Sequence, residues 1–302
     1  MTRSNIPQIL LRHLQGIEPN AKFTGNLPVI TSSSGIRYYA KVGSPLEQEQ
    51  YIGEAESLKA MTIAAPGLSP KVLASGITED SLDETLAGQP YFLSEYKELG
   101  RLTGAGADVL AKRLATELHA FKSDAGFGFA VPTFCGATRQ DNGWYETWAE
   151  FYSELISGLL SKLKRKGSFS ELVAKGEEMR SRGIPYLLGS LAIDPVLLHG
   201  DLWSGNVGID TSSGKPVIFD PSSMFGHNEA DLAISRIFGG FPASFYSTYH
   251  KHCPKGEPVD LYDARSDLYQ AYHYLNHTVL FGGSYASSAM EKLSKALAVC
   301  PK

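Results

Sequence analysis

The stretch Leu197 to Asn206, LLHGDLWSGN, places His199, Asp201 and Asn206 directly after an apolar run, and a second acid, Asp220, ends the next apolar run fourteen residues after Asn206. Between them Val207-Gly208-Ile209 and Pro216-Val217-Ile218-Phe219 flank Thr211-Ser212-Ser213-Gly214, the pattern of a β-hairpin. Folding that hairpin back sets Asn206 beside Asp220 at its open end. An amide oxygen and a carboxylate are hard donors that suit Mg²⁺, which keeps several waters and takes further ligands from phosphate. Asp201, five residues before Asn206, then falls within reach as a base or hydroxyl-orienting group. Any one of these residues alone would read as a turn former. The three together point to metal-assisted chemistry on an oxygen nucleophile.

This spacing resembles the catalytic and metal-binding loops of protein-kinase-like phosphotransferases, where HxDxxxxN precedes a metal-binding Asp. Here the first loop reads HGD rather than HRD, and Pro-Ser rather than Phe-Gly follows the second acid. Both departures resemble the aminoglycoside and choline phosphotransferase branch, whose substrates are small hydroxylated molecules. Such a fold implies a strand lysine that holds the nucleotide's phosphates and a helix glutamate that holds the lysine. Lys41 closes the strand-like run Ile36 to Val42, and on the following helix Tyr51, Glu54, Ala55 and Leu58 share one face. Glu54 interrupts that apolar stripe. A buried carboxylate is costly unless paired, and Lys41 is the nearest expected cation. Glu95-Tyr96-Lys97 sits where the interlobe hinge belongs, with its backbone facing adenine. The segment Thr24 to Pro28 stands where a phosphate-covering loop is needed, but it holds one glycine and no GxGxxG.

Further motifs narrow the resemblance. HGDLWSGN, IFDPSSMFGHNEADLA, FGGFPASFYSTYH and LYQAYHYLNHTVLFGGSY, with Gln140, Asn142, Trp144, Trp148 and Phe151-Tyr152 upstream, closely resemble the fructosamine-3-kinase (ketosamine-3-kinase) family. The resemblance implies ATP-dependent phosphorylation of the 3-hydroxyl of a ketosamine, free or on a protein lysine, after which the adduct decomposes and frees the amine. It assigns Asp201 to catalysis, Asn206 and Asp220 to Mg²⁺, and Lys41, Glu54, Glu95, Tyr96 and Lys97 to ATP. Trp203 and His277 fall to the acceptor pocket, where an indole face can stack on a sugar. Asp231 and His199 read as braces of the catalytic loop. Some relatives carry a redox-active cysteine in the phosphate loop; this chain has none there.

These residues need elements to position them. Ile6, Ile9, Leu10 and Leu14 repeat at helical spacing. Val29 to Thr31 and Ile36 to Tyr39 read as strands around a Ser32-Ser33-Ser34-Gly35 turn. Ser44, Pro45 and Glu47 mark a helix start with a capping box. Short strands are expected near Lys71 to Ala74 and Tyr91 to Ser94. After Leu99 the pattern turns helical: a stripe of Leu110, Leu114, Leu118 and Phe121, capped by Asp108 and ended by Gly126, then segments Tyr145–Leu163, Phe169–Arg182, Glu229–Phe238, Leu261–Phe281 and Ala286–Val299. The expected fold class is therefore α+β: a bilobal protein-kinase-like fold with a small β-rich N-lobe over residues 1–96 and a larger helical C-lobe over 97–302.

Composition narrows the alternatives. The chain has 302 residues, 43% hydrophobic and 20% charged, which excludes bulk disorder. A net charge of -4 speaks against nucleic acid and anionic membranes as partners. Three widely spaced cysteines without a CxxC argue against a disulfide framework or a zinc site and for a reducing compartment. A cytoplasmic monomer or weak dimer is expected; organellar targeting stays open, because the first 17 residues hold Arg3 and Arg12 and no acid. Two rivals remain: an aminoglycoside- or choline-type kinase on the same fold, which a carboxylate-rich acceptor pocket would favour, and a catalytically dead binding module, against which all the polar residues for chemistry are present.

Overall fold

The β-branched and aromatic runs on either side of the serine turn pair as expected. In the computed structural model, which describes residues 6–79 and 86–301, β1 (Phe23–Asn26), β2 (Val29–Ser32) and β3 (Arg37–Val42) form an antiparallel meander, with Thr31 opposite Arg37. A five-stranded sheet in the order β1-β2-β3-β5-β4 is completed by β4 (Val72–Ile77) and β5 (Pro90–Glu95). Helix α1 (Gln8–Ile17) lays Ile9, Leu10 and Leu14 against Ile30, Tyr38 and Leu93 of this sheet. Residues 1–5, part of the segment weighed as a targeting peptide, lie outside the described residues.

The capping box at Ser44 and Glu47 forms, with a 3₁₀ turn over Pro45–Glu47 leading into α2 (Gln48–Ala64). One face of α2 buries Tyr51, Ala55 and Leu58 against Phe92 of β5. Its far end, at Met61, joins a larger core built mainly by helices.

That helical part comprises α3 (Gly104–Thr116), α4 (Trp148–Lys166), α5 (Ser170–Glu178), α6 (Ile184–Leu188), α7 (Asn228–Ile237), α8 (Ala243–His252), α9 (Tyr262–Phe281) and α10 (Tyr285–Ala298). Short strands stitch its upper edge: β6 (Leu99–Gly100) on the hairpin β10 (Val207–Asp210)–β11 (Lys215–Ile218), β7 (Thr133–Cys135) on β8 (Thr138–Gln140), and β9 (Val196–Leu198) on β12 (Met224–Gly226). None of these helices is long and apolar enough to cross a membrane among the described residues.

Several boundaries differ from expectation. Thr103, not Asp108, caps α3, because its hydroxyl accepts the Gly106 N–H at 3.0 Å. The helix stops at Thr116 rather than near Gly126. A 3₁₀ turn over Leu118–Ala120 follows, with His119 drawn into the core by Tyr249 and Asp231. Helix α4 begins at Trp148 rather than Tyr145, because Thr147 and Glu150 form a capping box. Helix α5 runs through a π-helical turn at Met179–Gly183 into α6, and α8 was not expected.

Candidate active site

Strand β9 delivers His199 and Gly200 to the edge of the helical core. Gly200 adopts φ +83°, and a Cβ there would collide with the backbone carbonyl of Ser222. An arginine in its place would be both strained and overlapped, a physical reason for HGD over HRD. The loop is held from below by Asp231, in the first turn of α7. Its carboxylate accepts the N–H groups of His199 at 2.6 Å and Gly200 at 2.8 Å, and the ring N–H of His119 at 3.1 Å. Burial would raise the Asp231 pKa, but the His119 contact and the loop amide hold it below the usual range. His199 is completely buried. Its Nδ1 accepts the Asp201 N–H at 3.2 Å, which leaves Nε2 to donate to Phe219 O at 3.0 Å. The loop that carries Asp201 and the loop that carries Asp220 are thus joined through one imidazole. Both Asp231 and His199 are braces, as expected.

Asn206 lies in a 3₁₀ turn at the start of β10, and its Nδ2 donates to Asp201 O at 3.0 Å, to Asp201 Oδ2 at 3.2 Å and to Asp220 O at 3.4 Å. This sets the orientation of the amide and leaves Oδ1 as the oxygen able to meet a cation. Asp220 sits in the left-handed region at φ 53°, unusual outside glycine, at the far end of the hairpin. Backbone pairing of Val207 with Ile218, and Phe219 N–H to Asn206 O at 3.0 Å, brings the two residues together as the hairpin reading required. Burial pushes the Asp201 carboxyl up to about 7; the Asn206 amide opposes this, and the charges of Asp231 and Asp220 reinforce it.

Lys41, opposite Phe92 in the β3–β5 register, reaches Glu54 Oε2 at 2.5 Å. Its ammonium also stands over the rings of Tyr51 at 4.9 Å and Phe92 at 5.4 Å. Burial raises the Glu54 pKa despite the lysine. Glu56, the alternative inward acid, instead pairs with Lys59 on the exposed side.

Three adjoining cavities run through the cleft. The first, about 290 Å³, is mainly apolar and lies between Tyr39, Leu58 and Phe92, with Glu95, Tyr96 and Lys97 at its rim. The Glu95 N–H is committed to Lys71 O at 3.0 Å, and Lys97 pairs with the Glu95 carboxylate at 3.0 Å. The second, about 340 Å³, is polar and collects Lys41, Glu54, Asp201, Trp203, Asn206 and Asp220. Glu54 and Asp220 border both. The third, about 400 Å³, shares Asp201, Trp203 and Gly136 with the second and is closed by Phe238, His277, Phe281 and Tyr285.

Trp203 is 36% exposed, so it is a pocket wall rather than a core residue. A side chain on Gly205 would overlap its indole ring, so the glycine lets the ring lie flat over the turn. Phe238 meets Trp203 edge-on at 5.6 Å between centroids, and His277 lies 5.2 Å from Phe238. His277 Nδ1 is tied to His273 O at 2.7 Å, which fixes the ring at the cavity wall. Sequence reasoning did not anticipate Cys135, Phe238, Phe281 or Tyr285 in this wall, nor His119 beneath the loop.

A family model for fructosamine kinase matches residues 24–299. The chain belongs to the fructosamine kinase family. The match spans every residue of the cleft named above, from Lys41 to Tyr285. Among the chain's relatives, the chloroplastic protein-ribulosamine 3-kinase of Arabidopsis thaliana is 39% identical over 254 residues, covering 84% of this chain and 74% of the relative. The ketosamine-3-kinase of Mus musculus is 44% identical over 173 residues, covering 56% and 54%. Among solved structures, choline kinase from Streptococcus pneumoniae superposes with a TM-score of 0.59 at 17% identity over 96% of this chain and 98% of that one. Aminoglycoside phosphotransferase APH(4)-Ia in its ternary complex with ADP and hygromycin B gives 0.57 at 16%, over 95% and 97%. The fold is protein-kinase-like.

Proposed function

We propose that this chain is an ATP-dependent ketosamine 3-kinase that acts on fructosamine- or ribulosamine-type adducts, free or on protein lysines. The observation that carries this reading is the order of the cavities: apolar slot, polar chamber, aromatic pocket, with Asp201 and Trp203 at the border of the last two. The lobe division at residues 96 and 97 is supported by the sheets, since β5 ends at Glu95 while β6 already pairs with the C-terminal hairpin. Among the described residues, the proposed acceptor pocket is lined by one carboxylate, Asp201. A polycationic aminoglycoside would want several, and the aromatic lining suits a sugar face instead.

In this reading adenine occupies the apolar slot against the backbone of Tyr96 and Lys97, and Lys41, held by Glu54, meets the phosphates. Asn206 Oδ1 and the Asp220 carboxylate are a hard-oxygen pair on the wall of the polar chamber, and they fit Mg²⁺. When bound, that ion supplies neutralisation of charge on the transferring phosphoryl group. Asp201 accepts the hydrogen bond of the sugar 3-hydroxyl, aligns it, and takes its proton as the new O–P bond forms and the bond from the γ-phosphorus to the bridging oxygen breaks, releasing ADP. A carboxyl near 7 is matched to that task at neutral pH. Trp203 stacks on the C–H face of the sugar and excludes water. Because the transition state is loose, positioning and charge stabilisation supply most of the rate.

The test is an ATP-turnover assay against ribulosamine and fructosamine derivatives of lysine, an aminoglycoside and choline, with the product mapped by ³¹P NMR. Phosphate on the 3-hydroxyl of a ketosamine is expected. Turnover confined to the aminoglycoside or choline would overturn the assignment.

A further inference from the structure

One side-chain cluster sets beside Asp201 two residues that the roles above do not use, Cys135 and His273. Cys135 Sγ, a carboxylate oxygen of Asp201 and a ring nitrogen of His273 lie within 4.8 Å of one another. Cys135 ends β7 and is 2% exposed; His273, on α9, is 5% exposed. His273 Nδ1 is sealed from solvent and has no hydrogen-bond partner among the described residues. Leaving a buried polar atom unpaired is costly, and the same imidazole brings a ring nitrogen up to a thiol and a carboxylate, so the cluster can take a ligand. Cys135 and Asp201 also border the aromatic pocket, which gives the cluster an open side.

A thiolate, an imidazole and a carboxylate form a zinc donor set, and three protein ligands with a fourth position facing a cavity is the form of an open zinc site. Mg²⁺ prefers oxygen ligands alone, so this trio and the Asn206–Asp220 pair are separated by chemistry. Zinc bond lengths set ligand atoms roughly 3.5 Å apart. The trio must therefore draw in by up to about an ångström, which asks for movement of Cys135 and His273 as well as of the partly exposed Asp201 side chain.

We propose that Cys135, Asp201 and His273 form an inhibitory Zn²⁺ site at the floor of the acceptor pocket. On binding, the thiol proton leaves to solvent, and the Asp201 carboxylate gives its electron pair to the metal instead of to the acceptor hydroxyl. Zn²⁺ then competes with the acceptor and not with the nucleotide. Only the inhibitory consequence rests on the kinase reading; metal binding by the trio does not.

The experiment has a binding arm and a kinetic arm, both on the full chain. Co²⁺ serves as the spectroscopic probe, and Zn²⁺ is titrated into the ATP–ketosamine assay at saturating Mg²⁺. The expected results are a thiolate-to-cobalt charge-transfer band that disappears in Cys135→Ser, and chelator-reversible inhibition. The Zn²⁺ inhibition constant should rise at least about tenfold in Cys135→Ser and in His273→Gln, each measured against its own metal-free rate. A band that is absent, or that survives Cys135→Ser, overturns the site. So does Zn²⁺ inhibition that is unchanged in both variants and relieved by Mg²⁺, which would put the metal at Asn206 and Asp220. Should the variants fail to fold, zinc-edge X-ray absorption on the unmodified chain decides: a sulfur ligand sustains the site, and an oxygen/nitrogen shell alone overturns it. An enzyme inert toward every ketosamine would refute the kinase reading while the cobalt and absorption readouts still decide the metal site.

Discussion

The Lys41 ammonium and the Glu54 carboxylate meet at 2.5 Å in a cleft where the acid is only 15% exposed. The glutamate is the more dependent partner, since burial already lifts its pKa and the lysine is the main force acting against that.

Lys41→Met should therefore lower ATP turnover by orders of magnitude and also reshape the pH dependence of stability. A carboxyl whose folded pKa is raised favours folding below its unfolded pKa, and that advantage is lost as pH rises through the folded value. Removing Lys41 moves the folded pKa further up. The variant should thus be closer to the parent in denaturant stability at pH 5 than at pH 8, where the deficit should be on the order of 2 kcal/mol, less than for a fully buried pair. Equal deficits at the two pH values would show that Glu54 does not depend on the lysine.

Asp201 and Trp203 should separate kinetically. Asp201→Asn removes the group that aligns the nucleophile and should cut kcat by orders of magnitude with little change in ATP KM. Trp203→Ala should raise the ketosamine KM roughly ten- to a hundredfold, since stacking on an aromatic face contributes about 1–3 kcal/mol, while kcat at saturation stays nearer the parent. An effect of Trp203→Ala on ATP KM alone would reassign the indole to packing.

Asp231 offers a test of the loop without touching ligand. Asp231→Ala leaves the His199 and Gly200 N–H groups and the His119 ring without their acceptor. Each lost buried partner costs about 1–3 kcal/mol, so a fall in melting temperature is expected together with a loss of kcat. A variant that melts with the parent would mean that the loop is held elsewhere.

His227 sets an acid limit. It is buried, with Nδ1 against the Tyr269 hydroxyl at 2.8 Å, and burial pushes its pKa down to about 4, against the pull of Glu229. Above its unfolded pKa of about 6.5 both states are neutral and full stability is present. As pH falls from there toward 4 only the unfolded chain takes up the proton, and stability is lost by up to about 3 kcal/mol. His227→Asn should flatten the stability profile in that window; a variant profile parallel to the parent's would remove the histidine from the account.

Local pattern made some of this site legible and hid the rest. Glu54 stood out because a charge broke an i, i+3, i+4 apolar stripe, and the Asn206–Asp220 pairing followed from a hairpin with an unambiguous turn. Both are short-range arguments, and the structure shows both geometries. Cys135 and Phe238 reach the aromatic pocket from β7 and from just beyond α7, segments far apart in sequence, so no spacing could announce their meeting. His119 is similar: its partners Asp231 and Tyr249 lie 112 and 130 residues away. The misplaced start of α3 has a local cause, because Thr103 and Asp108 are both competent caps and only backbone geometry chooses between them. Helix α8 was obscured by its aromatic and β-branched content, which is weak in helical propensity and is settled by packing of Phe245 and Tyr249 into the core.

The shared imidazole of His199 has a consequence for control. Through His199 alone the Asp220 loop is fastened to the Asp201 loop twice, by His199 Nε2–H to Phe219 O and by Ser222 N–H to His199 O at 2.8 Å. If Asp220 holds the metal as proposed, it has no separate off-position: moving its backbone outward would break the seat of Asp201 at the same moment. On that reading the floor of the cleft is set once, at folding, and control falls to what fills the cleft.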